Sequence, residues 1–465
     1  MDHYQVIVIG AGIGGLSAAA YLTKAGIKTL VVEQTPFPGG RCYSRVINGA
    51  EYDIGALYVG DRAPEILQTV FGINCAFKSY RMGVKIGDSF VSVPFDRRTL
   101  RELHGSGVTW GDILCFLRRT PNLFRQSYFD RHRSVGEALD SLTSNEVIRQ
   151  MGYVLFGVSG ISPYSLPSSY LRMSGDTAGT RIGNPVHILG GNKHLADSLV
   201  TFISAHGGHL SFREKVKRII FKDSRAYSVV TDKGQYRADY VISNADIRTT
   251  ILQLSRPGPW DDPYLREVNS LKRPLALVCV FLTFEPSFDL PNEFGAFFMP
   301  GDSPGKEFQT LNAGQFPERS TFCLQVPTNL ERRTVENHRA TLQFYHPRGS
   351  VAPQALKQQV HKVMTTGLEQ LFPGLSGRVI SYTVYDPSRY EQEFGLKPFV
   401  FGASPALNQR RFSPQTSVPN LFCVGDSVLP ERPSVPQAME SGILGAQKVL
   451  KRMKMTGDRR ASCQE

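Results

Sequence analysis

Residues 4–41, YQVIVIGAGIGGLSAAAYLTKAGIKTLVVEQTPFPGGR, constrain the fold more than any other stretch, because they hold every signal of a β-α-β nucleotide-binding unit in working order. Val6 to Ile9 is a continuous apolar run of the kind a buried parallel strand shows, and it leads directly into Gly10-Ala11-Gly12-Ile13-Gly14-Gly15. The glycines divide the tasks: Gly10 allows the tight turn, Gly12 lets the backbone approach a pyrophosphate, and Gly15 lets the helix pack close to the strand. A helix from Leu16 to Lys24, ended by Gly26, aims its free N–H groups and the positive end of its dipole at that pyrophosphate. A second apolar strand, Thr29 to Val32, finishes on Glu33, whose carboxylate is placed to accept hydrogen bonds from a ribose 2′-OH and disfavours a 2′-phosphate. The unit suits FAD or NAD rather than NADP.

With 465 residues the chain exceeds the size at which one core stops growing, so two domains are expected. Hydrophobic content of 41% and charged content of 20% describe an ordinary globular protein. The net charge of +12 calls for an anionic partner, and because no nucleic-acid motif accompanies it, a membrane surface is the better match. No signal peptide is read at the N-terminus, and the longest apolar run, Ala276 to Phe284, is far short of a membrane span. Seven scattered cysteines with no CxxC point to reduced thiols and a cytoplasmic setting, while the ten histidines show no ligand spacing, so no metal is expected. Cys42, beside a glycine pair, is either a redox or flavin-linked thiol or a bystander. The sequence carries no signal that sets an oligomeric state.

Downstream of the first unit, Gly39-Gly40-Arg41 supplies backbone donors and a guanidinium suited to a second phosphate contact, and Gly55-Ala56 has no bulk to keep a planar ring away. Together with Asp53-Ile54 these residues resemble the flavin amine oxidase and phytoene desaturase superfamily, whose cofactor is FAD. His187 to Leu199 is similar to the glycine-pair turn and helix that re-enter the FAD domain in the bacterial-type phytoene desaturase and carotenoid isomerase-like branch, and Val241 to Asp246 resembles its asparagine-containing exit. The resemblance covers about half the chain and is more specific for cofactor than for substrate. It implies a Rossmann-like α/β FAD-binding domain of glutathione-reductase type, discontinuous over 1–80, 185–255 and 410–465. A second α+β substrate domain with a mixed sheet would comprise 81–184 and 256–409. It also implies that Val216 faces the adenine, that Asp426 of Gly425-Asp426 contacts the ribityl-phosphate part, and that the helix opening at Val435, Pro436 and Met439 points its N-terminus at the flavin pyrimidine. That last placement has a physical basis, since reduced flavin is negative near N1 and a helix N-terminus stabilises an anion.

Elsewhere the patterns are weaker. Gly208 to Ala245 reads as a meander of short strands, with Asp232-Lys233-Gly234 as a turn, and Arg273 to Glu285, Thr321 to Val326 and Ala340 to Tyr345 read as strands of a second sheet. The stretches 286–305, 347–353 and 156–170 read as loops, and the tail after Leu450 as frayed. Residues 107–133 place Trp110, Ile113, Leu114 and Leu117 on one helical face. Over 97–133 eight arginines stand against Glu102, Asp112 and Asp130, a net of 8 − 3 = +5. Such a segment fits peripheral contact with a membrane, a lid over an apolar tunnel, or a helix on the second core. Glu431-Arg432-Pro433 stands where many desaturases carry glycines.

For a base the sequence offers only Tyr58 and Lys272, and neither belongs to a recognisable pair. The first expectation is FAD-dependent oxidation of a C–C bond in an apolar, isoprenoid or carotenoid-like small molecule by hydride transfer to flavin N5. Oxidation of an amine or amino acid, redox-neutral isomerisation of a polyene, and a flavin-free binding role stay open beside it.

Overall fold

The apolar run that opens the chain becomes the centre of a sheet. His3–Ile9 pairs in parallel with Thr29–Val32 on one side and Gln235–Ser243 on the other, with Val6 opposite both Thr29 and Tyr240. The computed structural model describes residues 1–465 apart from 57, 126–132, 158, 172–183, 292, 332–335, 400, 408, 431–432 and 462–465. Glu431-Arg432 thus lies outside the described residues, as do residues 126–132 of the arginine-rich segment. Val6, Ile7 and Val8 are fully buried, as a strand covered on both faces requires. Each stabilises the fold by roughly 1.5–3 kcal/mol through removal of apolar surface from water.

Seven strands make this first sheet. His209–Ser211 extends it beyond Thr29–Val32, and Leu421–Cys423 pairs in parallel with the end of Gln235–Ser243. Arg225–Thr231 and Val216–Lys222 continue antiparallel from the start of that same strand, with the expected turn between Thr231 and Gln235. On one face Ile13–Lys24 is buried between the sheet and the helices Lys193–Ala205 and Val435–Ala461. Two expectations change here. The segment 209–211 leaves the meander to pair with Thr29–Val32, and the basic tail continues the last helix to Ala461 instead of fraying.

The second sheet also has seven strands, in the order Val379–Tyr385, Leu277–Phe284, His338–Tyr345, Phe322–Gln325, Phe294–Met299, Arg81–Ile86 and Ser89–Val93. It is mixed, because Phe294–Met299 runs parallel to Arg81–Ile86 while the other pairs are antiparallel. Helix Pro353–Lys362 and the turns after it cover one face, through Val360, Val363 and Leu368. Phe294–Met299 corrects the loop reading of 286–305: its flanking prolines and glycines read as breakers, but FGAFFM is an inner strand with five of its six residues buried. The loop reading of 156–170 also shortens, since the helix Glu146–Gly157 runs into it.

Candidate functional site

The carboxyl ends of the parallel strands open on a cavity of about 1010 Å³, closed on its far side by the second sheet. That is the upper end of the roughly 300–1,000 Å³ usual for small-molecule sites, room for a dinucleotide with a substrate beside it. At its centre stands Asn244, directly after Gln235–Ser243, with its backbone N–H donating to the Ile9 carbonyl at 2.8 Å. Its side-chain amide hangs over the glycine turn. A Cβ on Gly14 would come within 2.6 Å of Asn244 Oδ1, one on Gly425 within 2.7 Å, and one on Gly12 would collide with Nδ2. Gly10, at φ +92°, makes the turn, and a Cβ on Gly15 would run into the Gly10 carbonyl oxygen, so helix and strand are as close as the motif requires.

This cradle fits a pyrophosphate. Gly12 begins the helix Ile13–Lys24 with no side-chain cap and no acidic residue in the first turn, which leaves the N-terminal N–H groups free for an anion. Glu33 lines the cavity at the end of Thr29–Val32. It is 6% exposed, and its carboxylate accepts from Ala11 N at 2.7 Å and from Thr35 N and Oγ1 at 2.8 Å. Burial raises its pKa against those lowering hydrogen bonds. The Asp53 carboxyl, raised by burial as well, holds the glycine-pair turn: it accepts from Asn192 N at 3.0 Å, and Asn192 Nδ2 donates to the Ala56 carbonyl at 2.9 Å.

Most residues marked in the sequence meet here. Gly10, Gly12, Ile13, Gly14, Glu33, Gly39, Gly40, Arg41, Gly55, Ala56, Val216, Gly425, Asp426, Val435 and Pro436 line the cavity, as does Tyr58. Ala11, Gly15 and Met439 do not appear in its wall. Ala11 acts through its N–H to Glu33, Gly15 through helix packing, and Met439 is wholly buried in the core, leaving Ala438 as the lining residue of that turn. Lys272 is also outside: its backbone bridges Ser404 in both directions, at 2.8 and 2.9 Å, and its side chain faces solvent. The Arg41 guanidinium is ion-paired with Asp426 at 2.8 Å and donates to the Phe399 carbonyl at 2.9 Å. It therefore joins two parts of the cavity wall rather than standing free for a phosphate. Cys42 lines the cavity too, but burial pushes its thiol well above the usual range, which leaves it a poor nucleophile.

What sequence reasoning missed is the opposite wall. Leu277, Cys323, Gln343 and Tyr345 come from three neighbouring strands of the second sheet and share one face, Phe298 joins them, and Thr321 directly precedes Phe322–Gln325. Gln343 Nε2 donates to the Gly55 carbonyl at 3.3 Å and Thr341 Oγ1 to the Asp53 carbonyl at 3.2 Å, which ties this sheet to the cofactor motif. Two-residue alternation in each strand was the available signal, but the order of the strands was not.

Fold and site define an FAD-dependent oxidoreductase. The chain belongs to the flavin containing amine oxidoreductase family, whose model matches residues 13–450. Among curated proteins it is 24% identical to all-trans-retinol 13,14-reductase of Rattus norvegicus over 97% of this chain and 86% of that one. It is 22% identical to prolycopene isomerase 1, chloroplastic, of an Oncidium hybrid cultivar (96% and 84%). To the zeta-carotene-forming phytoene desaturase of Myxococcus xanthus it is 24% identical (92% and 90%). In two Danio rerio relatives the match spans about half of the relative, 55% and 48%. These names place it in the carotenoid desaturase and isomerase-like branch. Solved structures share the fold: an oxidoreductase from Methanosarcina mazei has a TM-score of 0.68 at 21% identity (96% and 99% covered). Cyclohexylamine oxidase from Brevibacterium oxydans has 0.66 at 14% (97% and 100%). Among the described residues no helix is long and apolar enough to cross a membrane.

Proposed function

We propose that this enzyme desaturates a carbon–carbon bond of an apolar, isoprenoid-like substrate. Bound FAD supplies the oxidising chemistry, accepting a hydride at N5. One observation carries the reading: among the described residues that the second sheet contributes to the cavity, none is charged. An ammonium substrate desolvated against such a wall would lack a counter-ion, at a cost of several kcal/mol. Of the acids that line the cavity, Glu33, Glu214, Asp232, Asp246 and Asp426 belong to the cofactor side, and Glu391, on helix Pro387–Phe394, is exposed. Asp426 holds Arg41, Asp246 accepts from Ala403 N at 2.8 Å, and Glu33 holds Ala11 and Thr35. The wall's work is to hold a long apolar chain edge-on and exclude water, and the names of the sequence relatives favour a polyene. In this reading 1–80, 185–255 and 410–465 form the FAD unit, 81–184 and 256–409 the substrate unit, and Val216, Asp426 and the start of the Val435 helix hold adenine, ribityl phosphate and pyrimidine.

Product mass after an anaerobic single turnover tests it. Desaturation gives a product two hydrogens lighter, isomerisation leaves the mass unchanged, and reduction adds two hydrogens. Either of the latter outcomes replaces this proposal.

We also infer that the enzyme draws its substrate from an anionic lipid surface. Helix Trp110–Arg119 exposes Trp110, Leu114 and Leu117, at 48%, 59% and 36%, with Phe95 nearby at 40%. Arg118 and Arg119 are exposed beside them. Apolar side chains for the acyl boundary and guanidinium groups for phosphate headgroups form an interfacial surface. Sedimentation with phosphatidylserine vesicles is expected to fall as salt rises, and salt-independent or absent binding would remove the inference.

A further inference from the structure

Desaturation leaves a proton to dispose of, and Lys272 stands outside the cavity. We propose that Thr321 and Glu307 form the route by which this proton leaves the cavity; the proposal rests on the desaturation reading above. Helix Pro304–Asn312 packs Phe308 and Leu311 against Leu277 and Tyr345, so it lies on the cavity face of the second sheet. Its Glu307 is 2% exposed. Glu307 Oε1 accepts from Thr321 N at 2.7 Å, and Oε2 accepts from Thr321 Oγ1 at 2.6 Å. Thr321 Oγ1 accepts from Gly301 N at 3.0 Å, and Thr321 is one of the residues that line the cavity. The hydroxyl hydrogen is therefore committed to Glu307, one lone pair is committed to Gly301, and the second lone pair remains for a proton arriving from the cavity.

The groups facing Glu307 are Thr321, Asp302 and Tyr345, none of them cationic. Asp302 is itself neutralised from outside by Lys306 at 3.8 Å and Arg319 at 3.7 Å. Burial consequently raises the Glu307 carboxyl to about 7 against the Thr321 hydrogen bonds. A carboxyl poised there takes and returns a proton readily at neutral pH. The step balances. One substrate C–H bond breaks with both electrons, and the hydride passes to the FAD. As the hydride leaves, the adjacent C–H bond breaks with it, its electron pair becomes the second bond of the new C=C, and its proton goes to Thr321 Oγ1. The hydroxyl proton of Thr321 moves to Glu307 Oε2. Thr321 ends unchanged and Glu307 ends neutral. Thr321 is the catalytic residue and Glu307 its positioning partner.

Two readouts on the FAD-loaded enzyme separate this from a carboxyl that merely ties Thr321 to its helix. In infrared spectra, wild type shows a carboxylic acid carbonyl band that titrates near pH 7, and Glu307→Gln lacks it. In stopped-flow mixing with detergent-dispersed phytoene under anaerobic conditions, flavin bleaching in wild type rises with pH through a limb near 7. Glu307→Gln and Thr321→Val slow it by at least about tenfold and flatten that limb, whereas Glu307→Asp and Thr321→Ser keep it. All variants keep the oxidised flavin spectrum and wild-type melting within a few degrees. Equal bleaching rates and an unchanged limb in Glu307→Gln overturn the route alone, as does the absence of a titrating band. No bleaching of wild type by phytoene or zeta-carotene overturns the desaturation reading and the route with it.

Discussion

A methyl group at Gly12 and one at Gly15 meet different obstacles. At Gly12 it meets the end of the Asn244 side chain, which is free to turn away; at Gly15 it meets the Gly10 carbonyl, fixed in the turn. Gly12→Ala is therefore expected to fold and to lose the flavin, and Gly15→Ala to lose stability whether flavin is present or not. Absorbance of the purified protein and melting without added FAD distinguish the two. A second residue-scale expectation concerns pH. Burial holds the Glu307 carboxyl at about 7, above the 4.5 of an exposed glutamate. As pH rises from about 4.5 to 7 the unfolded chain releases this proton while the folded one keeps it. The stability present at low pH thus declines over that window, by on the order of 3 kcal/mol. Urea unfolding near pH 5 and pH 8 should show this decline in wild type and less of it in Glu307→Gln. The cofactor residues were legible because each belongs to a short motif with its own geometric duty. Glu307 was not, since nothing in PGKEFQTLN marks the one side chain whose helix face meets a cavity.

Helix Trp110–Arg119 shows what a period of 3.6 does and does not reveal. Trp110, Ile113, Leu114 and Leu117 do share a stripe, but only Ile113 turns into the second core, with Phe116 half-buried beside it, and the other three face solvent. A stripe has two edges, and which edge meets the neighbouring element depends on tertiary contacts. Leu114→Asp should weaken vesicle binding with little change in melting temperature, while Ile113→Asp should destabilise the fold by about 3 kcal/mol or more. Neutralising Arg118, Arg119 and Arg125 should weaken vesicle binding by about 1 kcal/mol per charge. Equal effects of the Leu114 and Ile113 changes on melting would assign the whole helix to the core. The strands of the second sheet were legible in part. Leu277–Phe284 is a long apolar run and His338–Tyr345 alternates Ala340, Leu342 and Phe344 with polar residues, whereas Arg81–Ile86 and Val379–Tyr385 are mixed in polarity and form strands because their neighbours supply the pairing.

For the molecule as a whole, the cofactor half of the cavity is built from local motifs at strand ends. The substrate half is built from single residues on strands far apart in sequence, so only the first could be read before the sheet order was known. The two halves meet through Gln343 and Gly55, and FAD wedged between them should stabilise both sheets together. Enzyme with FAD at about a hundred times its Kd should be more stable than stripped enzyme by about 2.7 kcal/mol. A melt in which added FAD moves only one of two transitions would show that the sheets do not share the cofactor. Among the described residues, the wall that the second sheet sets against the flavin is uncharged, and anaerobic titration of the oxidised flavin probes that wall. Detergent-dispersed isoprenoid polyenes should bleach the flavin absorbance, and simple primary amines should leave it unchanged at every pH. Bleaching by an amine, faster as the amine loses its proton and with none by polyenes, would show that the site is built for amines instead.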